Sequence, residues 1–233
     1  MQFLLRNSGP IKATALLITK SLFIALCWIS LVNGEEPATQ SAKKSTSATL
    51  SAHETVQDVT TKLLVTIEQS RETYKTNPDA FYKAVEDVMA PAIDFDKITR
   101  GVMGKKYYSD ATAEQRQQFI TTFKNGLIQT YAKGLIEFAN QKIEVLPPNG
   151  SVAGKDKVVV MQKIYGKDAV YPLSYSMGLS GDGKWRLFNL TINGINLGLT
   201  FKNQFVQSMK DNKGDLNKVI STWSVNVDTT AQG

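Results

Sequence analysis

The sequence predicts an α+β domain, on three observations. Apolar residues recur at helical spacing through most of residues 52–140. Four alternating apolar segments follow, separated by turns rich in Gly, Pro, Asn and Asp, and two more helical patterns close the chain. The expected architecture is several N-terminal helices, a four-stranded antiparallel meander sheet and C-terminal helices, together enclosing an apolar pocket.

The first residues stand apart from this domain. Met1–Lys20 carries Arg6, Lys12 and Lys20 and no acid, Ser21–Val32 is a short apolar run, and Val32-Asn33-Gly34 offers small residues for cleavage. That order reads as a signal peptide over 1–34 and hence as export to the periplasm. An uncleaved anchor over Ala13–Val32 is the alternative. It would place Lys20 near the middle of the span, at a cost of about 2.5–3.5 kcal/mol. Residues 35–51 are Ser-, Thr-, Ala- and Lys-rich with little to bury, as expected of a disordered leader, and 226–233 read as a flexible tail.

Composition narrows the function. Cys27, the only cysteine, lies within the apolar run, so cleavage would leave no thiol for a disulfide or for catalysis. The formal charge of +6 falls to +3 once Arg6, Lys12 and Lys20 are removed. Such an excess is compatible with weak attraction to anionic membranes and gives no reason to expect a nucleic-acid partner. What remains, 52–225, suits a single domain with a substantial core.

Each element has its own local reason. Val56, Val59, Leu63, Ile67 and Tyr74 form the apolar stripe of a long first helix that ends before Asn77-Pro78. Asn77 then caps a second helix with Pro78 in its first turn, its buried side marked by Phe81, Val85 and Val88 and its end by Pro91. Asp94–Met103 reads as a short third helix closed by Gly104. Thr112-x-x-Gln115 is a capping box, and Phe119, Phe123, Leu127, Tyr131, Leu135 and Phe138 run down the helix that follows, Ala111–Asn140. Taken alone such a stripe reads as plain core, and only the strongly apolar strands that follow make it a candidate wall of a groove.

The strands read as Gln141–Leu146, Lys157–Tyr165, Ala169–Leu179 and Lys184–Ile192, joined by turns short enough for an antiparallel meander. Leu173, Tyr175, Met177 and Leu179 share one face of the third. Pro172 on its other face lacks a donor and suggests an edge or a bulge. In the fourth strand, alternation puts Arg186, Phe188, Leu190 and Ile192 on one side and Trp185, Leu187 and Asn189 on the other. Asn193-Gly194 allows a sharp turn into a helix with Leu197, Phe201, Phe205 and Met209 at every fourth position. Asp215–Trp223 supplies the last helix.

Catalytic chemistry is hard to find. His53, the only histidine, is expected to be exposed and inert near the leader. No HExxH, GxSxG or paired-cysteine pattern occurs, so neither a metal nor a cofactor is expected. Asp94 and Asp96 flank Phe95 at a helix start, where capping and the helix dipole account for them. What the chain offers is apolar area. Covering hydrocarbon contributes about 0.8 kcal/mol per methylene, enough for a splayed α+β domain to hold lipid tails.

Three stretches together resemble the MlaC type of periplasmic phospholipid-binding proteins in the toluene-tolerance group. They are Pro91-x-x-Asp94-Phe95 leading to Gly104; Ala111-Thr112-x-x-Gln115-Arg116-x-x-Phe119-x-x-x-Phe123, continuing to Leu127 and Tyr131-Ala132; and Trp185-x-x-Phe188-Asn189 through Ile192-Asn193-Gly194-Ile195 to Gln204-Phe205. The chain departs from the usual pattern at Phe188-Asn189, at Asn193-Gly194-Ile195-Asn196 and at Lys202. The resemblance implies a non-enzymatic carrier that takes phospholipid by its acyl chains and shuttles it between membrane complexes. Its partners would be an inner-membrane ABC transporter with an MCE subunit and an outer-membrane lipoprotein complex. A related branch accompanies hopanoid synthesis, so a hopanoid or another hydrophobic ligand is the alternative cargo. A scaffold protein with a closed core is the alternative of a different class.

The expected lining comprises Val160, Ile164, Leu173, Tyr175, Met177, Phe188, Leu190 and Ile192 from the strands. Val102, Met103, Leu127, Tyr131, Leu135, Leu197 and Phe201 would join them from the helices.

Overall fold

A computed structural model describes residues 49–225. The expected signal peptide, all but the end of the expected leader, and the expected tail lie outside the described residues. The helices are α1 (Ala52–Thr76), α2 (Pro78–Met89), α3 (Phe95–Asp110), α4 (Ala113–Phe138), α5 (Leu197–Asp211) and α6 (Leu216–Thr222), with a 3-10 turn at Ala90–Ala92. The strands are β1 (Lys142–Val145), β2 (Lys157–Tyr165), β3 (Val170–Leu179), β4 (Trp185–Ile192) and β5 (Ile195–Asn196). They form one antiparallel sheet in chain order.

The helix starts are where local chemistry puts them. Ser51 and Glu54 form a full capping box on α1, as Thr112 and Gln115 do on α4. Asn77 accepts from the Ala80 amide, Asp94 from Lys97 and Asp215 from Lys218, each satisfying a donor the helix cannot. Asp94 is therefore a cap. His53 stands on the first turn of α1, half-buried rather than exposed, and burial lowers its pKa.

Four further expectations are corrected. Gly104 does not end α3 but kinks it: with φ 71° and ψ 165° it breaks the helical path, and the helix resumes as far as Asp110. A fifth strand is added, because Asn193 (φ 49°) and Gly194 (φ 82°) form a two-residue turn that pairs Ile192 with Ile195. Pro172 lies on β3, an interior strand. Its carbonyl accepts from Asn193, so the N–H it lacks would face the end of β4, where the chain already turns away.

The fourth correction concerns faces. Ser176 pairs with Asn189 but Met177 with Leu187, so a bulge inserts Phe188. Parity reverses across it, and Leu187 and Trp185 lie on the face of Met177 and Leu190. Phe188 packs on the opposite side. A Cβ on Gly178 would meet its ring at 3.3 Å, and Lys97 Nζ sits 4.0 Å from its centroid.

The interior comprises three separate clusters. The largest, between α3, α4, α5 and α6, is aromatic: Phe119 meets Phe205 at 5.2 Å and Trp223 at 5.3 Å, and Phe123 meets Phe201 at 5.2 Å, mostly edge to face. The second joins Ala52 and Val56 of α1 to Val158, Val160 and Met177 of the sheet. The third holds Ile67, Phe81, Val85 and Ala132 between α1, α2 and α4. Burying each Phe contributes about 1.5–3 kcal/mol. Lys124 of α4 also pairs with Glu86 of α2.

Candidate functional site

The sheet presents one apolar face to the helices, and its register fixes which side chains meet there. Val160, Tyr175 and Leu190 form one row across β2, β3 and β4, and Gln162, Leu173 and Ile192 form the next. Helices α1, α3 and α5 pack closely on this sheet, whereas α4 packs on α1, α2, α3 and α6. Every residue of β4 is half-buried, as are Leu127 and Tyr131 of α4. Leu127 and Tyr131 of α4 border the same cluster as Leu190 and Ile192 of β4, and all four are half-buried. They define an apolar seam.

Expected lining residues separate into groups by burial. Val102, Met103, Phe201, Val160 and Met177 are 3% exposed or less, packed as core, with Leu173 at 6% and Leu197 at 8% close behind. Leu127, Tyr131, Leu190 and Ile192 form the seam just described. Tyr175 is half-buried against the second cluster and Leu135 against the third. Ile164, also half-buried, pairs with Tyr171 near the far end of β2. Phe188 is not brought together with the others.

Two polar features punctuate this greasy surface. Gln162 is 3% exposed, and its side chain is engaged at both ends. Its Oε1 accepts from the Tyr175 hydroxyl at 2.6 Å while its Nε2 donates to Thr60 Oγ1 of α1 at 2.9 Å. A buried amide with both ends satisfied ties α1 to the sheet. Burial pushes the Tyr175 pKa far up, so its hydroxyl stays a donor. The Tyr131 hydroxyl is buried with no partner among the described residues, and burial pushes its pKa up to about 12.

Sequence reasoning missed Gln162 and Thr60. Alternation could have found the first, because Gln162 shares the parity of Val158, Val160 and Ile164, an odd place for an amide. Thr60 carried no such mark. Among the described residues, no group of His, Cys, Asp or Glu is placed to hold a metal, and no helix is long and apolar enough to cross a membrane.

The chain is similar to several known proteins. The model of the MlaC protein family matches residues 57–225. Toluene tolerance protein ttg2D of Pseudomonas putida is 40% identical over 179 residues, covering 77% of this chain and 82% of that protein. The intermembrane phospholipid transport system binding protein MlaC of Haemophilus influenzae is 25% identical over 145 residues, covering 61% and 67%. Among solved structures, a phospholipid-binding protein from Ralstonia solanacearum, solved in complex with a phospholipid, superposes with a TM-score of 0.67 at 29% identity. That match covers 74% of this chain and 94% of that one.

Proposed function

The chain belongs to the MlaC family, and from that premise we propose that it is a non-enzymatic phospholipid carrier that holds acyl chains along the apolar seam. The observation that carries this reading is the half-buried set Leu127, Tyr131, Leu190 and Ile192, which α4 and β4 bring to the border of one aromatic cluster, in a fold shared with a phospholipid-bound protein. The main helix contacts of the sheet come from α1, α3 and α5 rather than α4, so parting α4 from the sheet would admit hydrocarbon between them.

Leu135, Tyr175 and Ile164 extend the lining, with Leu173 and Leu197 behind it. Tyr131 contributes the polar element: a hydroxyl that stays protonated at physiological pH and can donate to a glycerol or ester oxygen of the lipid. The residues that pack fully as core hold the walls rather than touch cargo. The carrier works in the periplasm after removal of residues 1–34, and exchanges lipid with an inner-membrane ABC transporter bearing an MCE subunit and with an outer-membrane lipoprotein complex.

Native mass spectrometry with lipid extraction, on protein purified from its producing cell, tests the proposal. A stoichiometric phospholipid is expected. A stoichiometric hopanoid would keep the carrier and change the cargo, whereas a clean apo mass under gentle conditions would leave a scaffold with a closed core.

A further inference from the structure

The corner where α3 meets α4 carries an open hollow of about 530 Å³ lined by Arg100, Lys105, Tyr108, Ser109 and Arg116. Its cations are organised around one ring. Tyr108 has the Arg100 guanidinium 5.0 Å from its centroid and the Arg116 guanidinium at 4.5 Å, so both are held against the same ring.

Arg116 is further locked. Its Nε donates to the Tyr108 carbonyl at 2.8 Å, and its Nη2 to the carbonyls of Ala111 at 2.9 Å and Ser109 at 3.4 Å. These are carbonyls at the C-terminal end of α3, whose partial negative charge would otherwise repel an anion. Arg116 thus neutralises that end and is itself preorganised.

No carboxylate answers these charges. Among the described residues Arg100, Lys105 and Arg116 make no ion pair, although Asp96, Asp110 and Glu114 are near in sequence. Arg100 and Lys105, lining a concavity beside the backbone-anchored Arg116, raise the local concentration of anions. The free donors suit an oxyanion: the Arg100 guanidinium fork, the Lys105 ammonium and the Ser109 hydroxyl can each donate to a phosphate oxygen.

We propose that this hollow is a binding site for a phosphate-class oxyanion, separate from the apolar seam. The phosphate belongs either to a lipid headgroup at a membrane surface or to a small soluble phosphate. The site does not depend on the carrier reading, since nothing in its construction involves the acyl-binding residues.

The test compares the full mature protein with Arg100→Gln/Lys105→Gln. Both residues are exposed, and both changes spare the Arg116 hydrogen bonds, so the fold is retained, as circular dichroism checks. Binding is measured to vesicles of phosphatidylcholine with roughly 30% phosphatidylglycerol, to phosphatidylcholine alone, and to inorganic phosphate by calorimetry. Near an anionic surface each cation is worth about fivefold, so the double variant should bind the anionic vesicles about 30-fold more weakly. Loss on vesicles with no inorganic phosphate binding assigns the headgroup. Phosphate binding that the variant loses, with no vesicle difference, assigns the soluble anion. Equal behaviour of wild type and variant in every arm overturns the site. Lipid retained in the seam, read separately by mass spectrometry, should be the same in both proteins.

Discussion

Tyr175 and Gln162 meet diagonally across β3 and β2, hydroxyl to amide oxygen at 2.6 Å, and the same amide reaches Thr60 on α1. This is the polar clasp that fixes α1 over an otherwise apolar sheet. Replacing Tyr175 by Phe leaves a buried acceptor short of its donor and should cost about 1–3 kcal/mol. Gln162→Leu should cost a similar amount. The double variant Gln162→Leu/Tyr175→Phe should be less destabilised than the two costs summed, because the orphaned groups disappear together. Urea denaturation of the four proteins gives the coupling directly, and strict additivity would show that the clasp has no energetic reality.

Seam and core residues should respond differently to substitution. Leu127→Glu puts a carboxylate among half-buried side chains that still reach solvent, so it should abolish phospholipid retention with a modest fall in stability. Phe123→Ala, at 0% exposure in the aromatic cluster, should instead cost about 3–5 kcal/mol. Leu173, at 6% exposed, belongs with Phe123: a charge there is expected to unfold the domain rather than empty it. Lipid extraction and denaturation run in parallel separate the two behaviours, and a Leu127→Glu protein that keeps its phospholipid would remove the seam as the binding surface.

The junction of β4 and α5 is intolerant of volume. The Gly198 amide donates to Asn189 Oδ1 at 3.0 Å, and a Cβ at Gly198 would lie 2.5 Å from that same oxygen. Gly198→Ala must therefore displace the Asn189 side chain and lose the bond. A destabilisation of about 1–3 kcal/mol is expected, with Asn189→Ala/Gly198→Ala less harmed than Gly198→Ala alone. Thermal midpoints of the three proteins decide.

Acid sensitivity should be visible at the β3–β4 turn. The Arg186 guanidinium donates twice to Asp182, at 2.9 and 2.6 Å, and this holds the carboxyl pKa down to about 2. A depressed carboxylate pKa stabilises the fold above its unfolded value near 4 and loses that contribution as pH falls towards 2. Asp182 is exposed, so screening keeps the effect small. Stability profiles of wild type and Asp182→Asn should differ at neutral pH and converge in acid. Parallel profiles throughout would argue that the pair does not persist in solution.

Asp94→Ala separates a cap from an acid. Asp94 accepts from the Lys97 amide at 2.9 Å, so its loss should cost about 1 kcal/mol of stability and leave lipid retention unchanged. A selective loss of retention at unaltered stability would assign it a role in binding.

Much of the molecule was legible in the sequence because its signals are short-range. Thr112-x-x-Gln115 specifies a helix start through bonds that span three residues. The strands from Lys157 to Ile192 follow from alternation, and Asn193-Gly194 from the conformations those residues allow. The MlaC-type resemblance rested on such local patterns and the family match agreed with it.

Other properties were settled only by the tertiary structure. Alternation assumes an unbroken ladder, so the bulge at Phe188, which depends on how β4 meets β3, reversed the face of every residue before it. Helical spacing marks Phe123 and Leu127 alike as apolar, yet one is sealed in an aromatic cluster while the other is half-buried at its border. Burial is set by the distance between layers, which no residue carries by itself. The same holds for the Arg100–Tyr108–Arg116 stack and for Gln162 and Thr60, 102 positions apart in the chain. Local sequence determines the elements and their amphipathic faces; only packing decides which faces close and which remain available to a ligand.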